Sequence, residues 1–599
     1  MEITKKKGSD FTRVFDILSY QVEKYPNAAA LNFFSGNKWK AIAIQEIVQR
    51  ADALSCWLLR RGFKKDDRMI VIPYMGNPWW MIIDYACQQI GMITVPMHPA
   101  SRIEDWILIV KETQAKMAVT ADHALCEKLK KASDEAHVDM AAWHLQQYNI
   151  GFFEAIHEDQ TDPGELKKLM EMKKSVAEDD TCTILYTSGS SGVPKGVLLT
   201  HRNIVFNIKQ ILTLIPLDPG QRVLSFLPFS HIFERTTCYT YVAFGVSLYF
   251  SQSKESFAAD FRSVRPHFCT AVPRVLEKMY DYLEEQMLGK NILKRKVIAW
   301  ALDVGKKYGQ SRFDLWYQSQ LSLARLLVLG QWRRKLGGKI RHIITGAASL
   351  QPEIAKLFWA AGIQVIEGYG MTETAPLITV NRFEPGMHRF GTVGLTIPGI
   401  EVRIDSPDEN GEGEILVKGP NVTPGYYNHP EQTRLAFNDE GWFKTGDVGK
   451  FVLKRFLQIT DRKKEIFKTS SGKYIAPLQL QNHFMTSPLI ERCLVIGFQR
   501  PFVTALILPN FLMLEKWCRQ EHIHWTAPQF MVHNIMVRTR LDKEIEILNE
   551  SLPNFERIRN FVLCHEDWTA DNGEVTATLK PVRHVLEEHY KSEIEKMYE

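Results

Sequence analysis

The chain has 599 residues, 45% hydrophobic and 24% charged, so it should form several compact units rather than one core, which rarely exceeds about 300 residues. Its nine cysteines are scattered, odd in number and without a C-x-x-C pair, which argues for reduced cytosolic thiols and against a disulfide frame or zinc site. The formal net charge of +5 is uneven, because residues 286–341 hold 13 Lys or Arg against two acids.

The N-terminus, Met-Glu-Ile-Thr-Lys-Lys-Lys, leads into polar sequence, so no secretory signal is expected. Phe11 to Glu23 has the spacing of an amphipathic helix, and Met69 to Pro73 reads as a buried strand. Trp79 to Gly91 reads as a helix and Ile93 to Pro96 as the next strand. Strand signals recur at Gln221–Leu227, Phe268–Val272, Ile340–Thr345 and Gln364–Ile366. Strands alternating with helices predict doubly wound α/β layers. The basic segment includes a long helical stretch, Asn291–Leu336, and its richest apolar run, Leu321 to Leu329, is short and carries Arg325. No run reaches the roughly 20 apolar residues a membrane-spanning helix needs. From Gly391 to Val452 short strands lie between Gly and Pro turns, predicting a small β-rich subdomain. After the strand-like Phe456–Ile459, the charged cluster at Asp461 opens a smaller unit. The expected domains are therefore 1–461 and 462–599. No internal repeat is present.

Two regions carry the chemistry. Tyr186 to Val197 reads Y-T-S-G-S-S-G-V-P-K-G-V, where Gly189, Gly192 and Gly196 let backbone N–H groups approach a phosphate. Thr187, Ser188, Ser190 and Ser191 add hydroxyl donors, and Lys195 adds positive charge. It is not a Walker A loop, since Lys195 follows Pro194 and precedes Gly196. Alone, it fits either a triphosphate cradle or a flexible linker. Gly368 to Thr374 reads G-Y-G-M-T-E-T, followed by G-E-G-E-I-L-V-K-G-P (411–420), G-W-F-K-T-G-D (441–447) and D-R-K-K (461–464). With these in order, the chain resembles the adenylate-forming superfamily, the acyl-CoA synthetases and their relatives, from about residue 30 to 585.

That resemblance implies a large α/β N-terminal domain with a β-rich subdomain, a smaller mobile α+β C-terminal domain, and a hinge at Asp461–Arg462. It implies ATP, Mg²⁺ and coenzyme A. Thr187, Ser188, Gly189, Ser190, Ser191, Gly192 and Lys195 would clamp the β- and γ-phosphates, with Ser190 and Glu373 holding Mg²⁺. Thr372 would donate to the α-phosphate. Tyr369, between Gly368 and Gly370, would lie along one adenine face and the backbone of Gly346, Ala347 and Ala348 along the other. Asp447, assisted by Arg462, would accept from the ribose hydroxyls. Lys580, in T-A-T-L-K-P (576–581), would be the catalytic lysine, although it follows Leu rather than the commoner Ser-Gly. His231, in L-P-F-S-H-I-F-E-R (227–235), either orients the substrate carboxylate or is a hydrogen-bonded core histidine.

No acid precedes His231 in that motif, unlike amino-acid activators, and the motif, the hinge and the helical stretch most resemble long-chain fatty acyl-CoA synthetases. The expected reaction is activation of a long-chain fatty acid to acyl-AMP, then transfer to coenzyme A. Alternatives are a fatty acyl-AMP ligase serving a carrier-protein thiol, a ligase for a medium-chain or aryl acid, and a catalytically silent lipid-binding protein. Lys463, Lys464, Lys468 and Lys473 would meet the phosphates of coenzyme A, and Ser471-Gly472 would let its pantetheine pass. Residues 286–341 read either as cationic amphipathic helices at an anionic bilayer or as a helical pair packed on the core. A cytoplasmic protein without a nucleic-acid partner is expected, with peripheral membrane contact and homodimerisation left open.

Overall fold

The structure is a computed structural model and describes residues 10–145, 162–188, 193–253, 255–285, 292–309, 314–463, 465–470, 473–569, 572–575 and 581–599. Two large sheets organise the N-terminal domain. In the six-stranded one the spatial order is Ala141–His144, Met117–Thr120, Arg68–Ile72, Ile93–Pro96, Thr181–Ser188, Pro194–Thr200. Its first five strands are parallel; the last folds back antiparallel as a hairpin. The run Met69–Ile72 is apolar on both faces, as a strand covered by helices on both sides must be. Helix Pro78–Gln89 makes one crossover; Asn77 starts it by accepting from Trp80 N at 3.1 Å, with Pro78 in the first turn.

The nine-stranded sheet runs Leu395–Thr396, Leu377–Val380, Gln364–Gly370, His342–Thr345, Phe268–Ala271, Arg222–Ser225, Ser247–Phe250, Leu31–Ser35, Lys38–Ile42. Its centre is parallel and both edges are antiparallel. Between the two sheets lies helix Ile232–Phe244, whose Arg235 is fully buried. It donates to Asp84 Oδ2 at 2.9 Å and to Thr183 Oγ1 at 2.6 Å, while Tyr239 also donates to Asp84. A buried ion pair so fully hydrogen-bonded fixes the helix against strand Thr181–Ser188.

The β-rich subdomain is an antiparallel sheet of Glu401–Asp405, Gly413–Lys418, Phe443–Val452 and Phe456–Arg462. The C-terminal domain has its own cores around the sheet Ile490–Ile496, Val503–Pro509, Ile558–Leu563, covered by helices that include Pro477–Phe484 and Ile535–Glu550. It touches the larger domain through Gln351 Nε2, which donates to Met485 O at 2.7 Å, and through Arg274 and Glu491.

Several boundaries differ from the sequence reading. The strand read as Phe456–Ile459 runs on to Arg462, so Asp461 lies within it. The first helix begins at Asp16, because Arg13 turns back onto the Asp16 carboxylate. Strand Gln364–Gly370 runs four residues past Ile366, paired with Leu377–Val380. The phosphate-loop candidate is largely strand, Thr181–Ser188 and Pro194–Thr200, with Gly189 to Gly192 outside the described residues. All nine cysteines are buried and free. Among the described residues no helix is long and apolar enough to cross a membrane.

Candidate active site

The hairpin carries Thr187 opposite Lys195 and Ser188 opposite Pro194. Its second strand is stitched to segment 425–427: Leu198 N donates to Gly425 O at 3.0 Å and Tyr427 N to Gly196 O at 2.7 Å. Gly196 has no room for a side chain, since a Cβ there would lie 2.7 Å from Ile184. This stitching brings Tyr426 under the lysine, with Lys195 Nζ 5.6 Å from its ring centroid.

The Tyr426 hydroxyl donates to Glu373 Oε1 at 3.0 Å. Glu373 is buried in a short 3₁₀ turn, Thr372–Thr374, that follows strand Gln364–Gly370. Helix His201–Leu214 holds that turn: Asn207 Nδ2 donates to Thr374 O at 2.9 Å and Asn207 Oδ1 accepts from Leu377 N at 3.1 Å. The strand's close approach to the next one demands Gly370, where a Cβ would fall 1.7 Å from Pro376 O. Burial raises the Glu373 carboxyl above its ordinary value, Asp447 adds to the rise, and the Tyr426 hydroxyl and Lys195 oppose it. One carboxylate thus feels both the lysine of the hairpin and the aspartate of the β-rich subdomain.

Asp447 is held from two sides. Tyr369 Oη donates to its Oδ2 at 2.7 Å, and Arg462 Nε lies 3.3 Å from its Oδ1. Each oxygen keeps a second lone pair for a further donor. Burial pushes the Tyr369 phenol well above its ordinary value, so it is a donor at neutral pH. Its ring packs with Ile378, Ile415, Val417 and Leu457. Gly346 follows strand His342–Thr345 beside strand Gln364–Gly370, and a Cβ there would lie 3.1 Å from Gly368 O. Ala347 and Ala348 are exposed beyond it, Ala347 with φ 70°.

His231 precedes helix Ile232–Phe244, its ring 5.8 Å from that of His98. The neighbouring Glu234 accepts from the Ser225 hydroxyl and from Thr270 Oγ1. Burial still raises its carboxyl from 4.5 to about 7. Because the folded value is the higher, its contribution to stability is complete below about pH 4.5 and is lost as pH rises through about 7. A Glu234→Gln variant should therefore gain thermal midpoint relative to the parent as pH is raised from about 5 to about 8. Differential scanning calorimetry checks this, and parallel midpoints across that range would contradict it.

Thr187, Lys195, Glu373, Asp447, Tyr369 and Arg462 thus surround one region, where the hairpin, the end of the nine-stranded sheet and the subdomain meet. Gly189, Ser190, Ser191, Gly192 and Lys580 lie outside the described residues, as do Lys464, Ser471 and Gly472. Among the described residues no group of three or more His, Cys, Asp or Glu could hold a metal by itself. Sequence reasoning missed Tyr426, which links Lys195 to Glu373. It also missed Glu112, which accepts from Tyr186 Oη at 2.8 Å and meets His429 Nε2 at 3.1 Å. Only the G-Y-Y triplet at 425–427 offered a signal.

A sequence profile for AMP-binding enzymes matches residues 18–427, and one for the AMP-binding enzyme C-terminal domain matches residues 464–599. Long-chain-fatty-acid–CoA ligase FadD15 of Mycobacterium bovis is 30% identical over 576 residues, covering 94% of this chain and 92% of its own. Human long-chain-fatty-acid–CoA ligase 1 is 28% identical over 582 residues, covering 93% and 82%. The A domain of carboxylic acid reductase from Segniliparus rugosus, solved with AMP and a co-purified carboxylic acid, superposes with TM-score 0.74 at 19% identity, over 99% of this chain and 95% of that one. ATP-bound MatB from Rhodopseudomonas palustris gives TM-score 0.72 at 20% identity, over 97% and 99%.

Proposed function

The chain belongs to the AMP-binding enzymes, in the adenylate-forming long-chain acyl-CoA synthetase group, and from that premise we propose that it joins a long-chain fatty acid to coenzyme A through an acyl-adenylate. The observation that supports this reading is the gathering of Lys195, Glu373 and Asp447 in one region, where Tyr426 links Lys195 to Glu373 and Tyr369 holds Asp447.

A carboxylate does not react with a thiol at neutral pH, because oxide would have to leave. In the first step a carboxylate oxygen bonds to the α-phosphorus of ATP and pyrophosphate departs. In the second the thiol sulfur bonds to the acyl carbon, the carbon–oxygen bond to AMP breaks, and the thiol proton passes to solvent. Lys195 and the hairpin hydroxyls neutralise the leaving phosphates, and Thr372 donates to the α-phosphate. Asp447 accepts from the ribose hydroxyls. Exclusion of water protects the adenylate from hydrolysis.

A nucleotide-bound Mg²⁺ takes one or two protein oxygens and keeps the rest from phosphate and water, which suits the buried carboxylate of Glu373. The other buried carboxylate, Asp447, is already engaged by Tyr369 and Arg462. Glu373 and Ser190 would hold it, and when bound it would neutralise phosphate charge. Lys580 is read as the cation that meets the carboxylate and α-phosphate. The boundary between units 1–461 and 462–599 is read as a hinge. Asp461 fits that place: its Oδ1 accepts from Arg462 N at 2.6 Å and its Oδ2 from Leu478 N at 3.3 Å, tying the subdomain to helix Pro477–Phe484. His231 borders the acyl pocket in this reading. Peripheral contact with an anionic membrane accompanies a water-insoluble substrate.

Tyr426→Phe deletes a hydrogen bond that favours the charged form of Glu373, so the carboxyl should titrate higher and the acid limb of the pH–rate profile should move to higher pH. Apparent ATP affinity should fall by about tenfold, as loss of a charge-assisted hydrogen bond implies. An unmoved acid limb would remove Tyr426 from this role.

The proposal is tested by pyrophosphate release across acids of increasing chain length, with coenzyme A or acyl carrier protein as acceptor. Long acids giving acyl-CoA are expected. Thioester formed only on the carrier protein, or turnover only with medium-chain or aryl acids, would contradict it.

A further inference from the structure

The basic segment folds as helices Ile292–Lys306, Leu315–Ala324 and Gly330–Lys335, the last two joined by a π-helical turn, Arg325–Leu329. One face is structural. Tyr317, Leu321, Ala324 and Val328 are buried in the core shared with Leu357 and Phe358 of helix Pro352–Ala360. That packing leaves the opposite face unexplained.

The outward face carries large apolar side chains, with Ser319, Ser322 and Arg325 exposed among them, where a solvated helix would be mostly polar. Leu315 is 83% exposed, Trp316 73%, Leu323 48% and Leu326 74%, with Leu327 beside them. Positions 316, 323 and 326–327 lie one or two turns apart and so form one stripe, and the wider π turn leaves Leu326 and Leu327 both outward. Leu293 and Val297 are also exposed, on the helix Ile292–Lys306 that packs beside Leu315–Ala324. A contiguous exposed patch of this kind, rimmed by charge, marks an interaction site.

The rim is basic. Lys294, Arg295 and Lys296 stand among the apolar residues of the first helix, and Arg333, Arg334 and Lys335 follow directly after the stripe. Of the two acids, Asp314 is engaged in capping its own helix through Trp316 N and Tyr317 N. A symmetric second copy would set this positive rim against itself. A surface of anionic lipid would satisfy both halves, taking Trp and Leu among its acyl chains and the Lys and Arg at its headgroups.

We propose that the outward face of Leu315–Leu327, with its basic rim, is a docking surface for anionic membrane. The proposal deepens the reading of a fatty acid substrate, since it brings the enzyme to the phase that dissolves that acid.

The test is flotation of the full chain with phosphatidylglycerol–phosphatidylcholine vesicles and with phosphatidylcholine alone, at about 0.05 M and about 0.5 M salt. The parent should bind the anionic vesicles and lose most binding at high salt. Trp316→Ser with Leu326→Ser should weaken vesicle binding at least about tenfold. Lys294→Glu with Arg295→Glu and Lys296→Glu should abolish the preference for anionic vesicles. Unchanged melting and unchanged turnover of octanoate, which needs no membrane, establish that each variant is folded. If the double variant melts early, Leu315→Ser carries the same comparison. A parent that ignores anionic vesicles at low salt would overturn the proposal. So would variants that float like the parent, or a parent dimer that the substitutions dissociate without altering flotation. Vesicle binding without ligase activity on any acid would instead sink the enzymatic reading and leave this one standing.

Discussion

Replacing Lys580 by alanine should lower acyl-adenylate formation by about a hundred- to a thousandfold while leaving transfer from supplied acyl-adenylate to coenzyme A within about twofold of the parent. The asymmetry follows from where charge develops. During adenylation the α-phosphorus carries the attacking carboxylate and the departing pyrophosphate together, and a cation there is worth most in the transition state. During thioester formation the charge change is at the acyl carbon and on departing AMP. On either side of residues 576–580, Val575 and Pro581 pair in an antiparallel bridge, and Glu574 meets His589 Nδ1 at 2.6 Å. Measuring the two half-reactions separately checks the role, and equal losses in both would contradict it.

Glu373→Gln should cost about a hundredfold in adenylation without lowering the thermal midpoint. The amide keeps the size of the side chain and an oxygen for the Tyr426 hydroxyl. It removes the charge that would balance Lys195 and hold a nucleotide-bound cation. Because burial already raises the Glu373 carboxyl, a neutral replacement relieves a desolvation cost, so stability should stay level or rise. A variant that loses midpoint and activity together would make Glu373 a structural residue. Full activity would separate it from the nucleotide.

Much of this architecture was legible because it is local. Ile93–Pro96 matches its reading residue for residue, since a short apolar run between Gly91 and the turn after Pro96 has few other conformations. Short strands punctuated by Gly and Pro made a β-rich subdomain legible at 391–452, but its four-stranded sheet spans 401–462. Leu395–Thr396 pairs into the nine-stranded sheet instead, and Phe456–Arg462 supplies the last strand. The order of strands in the two large sheets was not legible, because Arg222–Ser225 lies between Phe268–Ala271 and Ser247–Phe250, and pairings across the chain leave no local trace. The edge hairpin of Leu31–Ser35 and Lys38–Ile42 was overlooked although Gly36 and Asn37, with φ 59° and 64°, spell the turn. The basic segment's charge and tryptophans were visible; which of its apolar residues face outward depended on packing against Pro352–Ala360.

At the site, motifs gave Lys195, Glu373 and Asp447, which the fold gathers. They did not give Tyr426, which sits 53 residues from Glu373 and reaches it only because Tyr427 and Gly425 pair with the hairpin strand. Nor did they give the double hold on Asp447, where Tyr369 contributes a hydroxyl. Residues that aim other residues carry no motif of their own, and geometry alone reveals them.

The most direct measurement is exchange of labelled pyrophosphate into ATP by the purified full chain, with fatty acid present and coenzyme A left out. Exchange that requires the acid, falls away in Glu373→Gln and Lys580→Ala, and accompanies an isolable acyl-adenylate is the predicted result. Cleavage of ATP to ADP and phosphate, or exchange that proceeds equally without any acid, would contradict it.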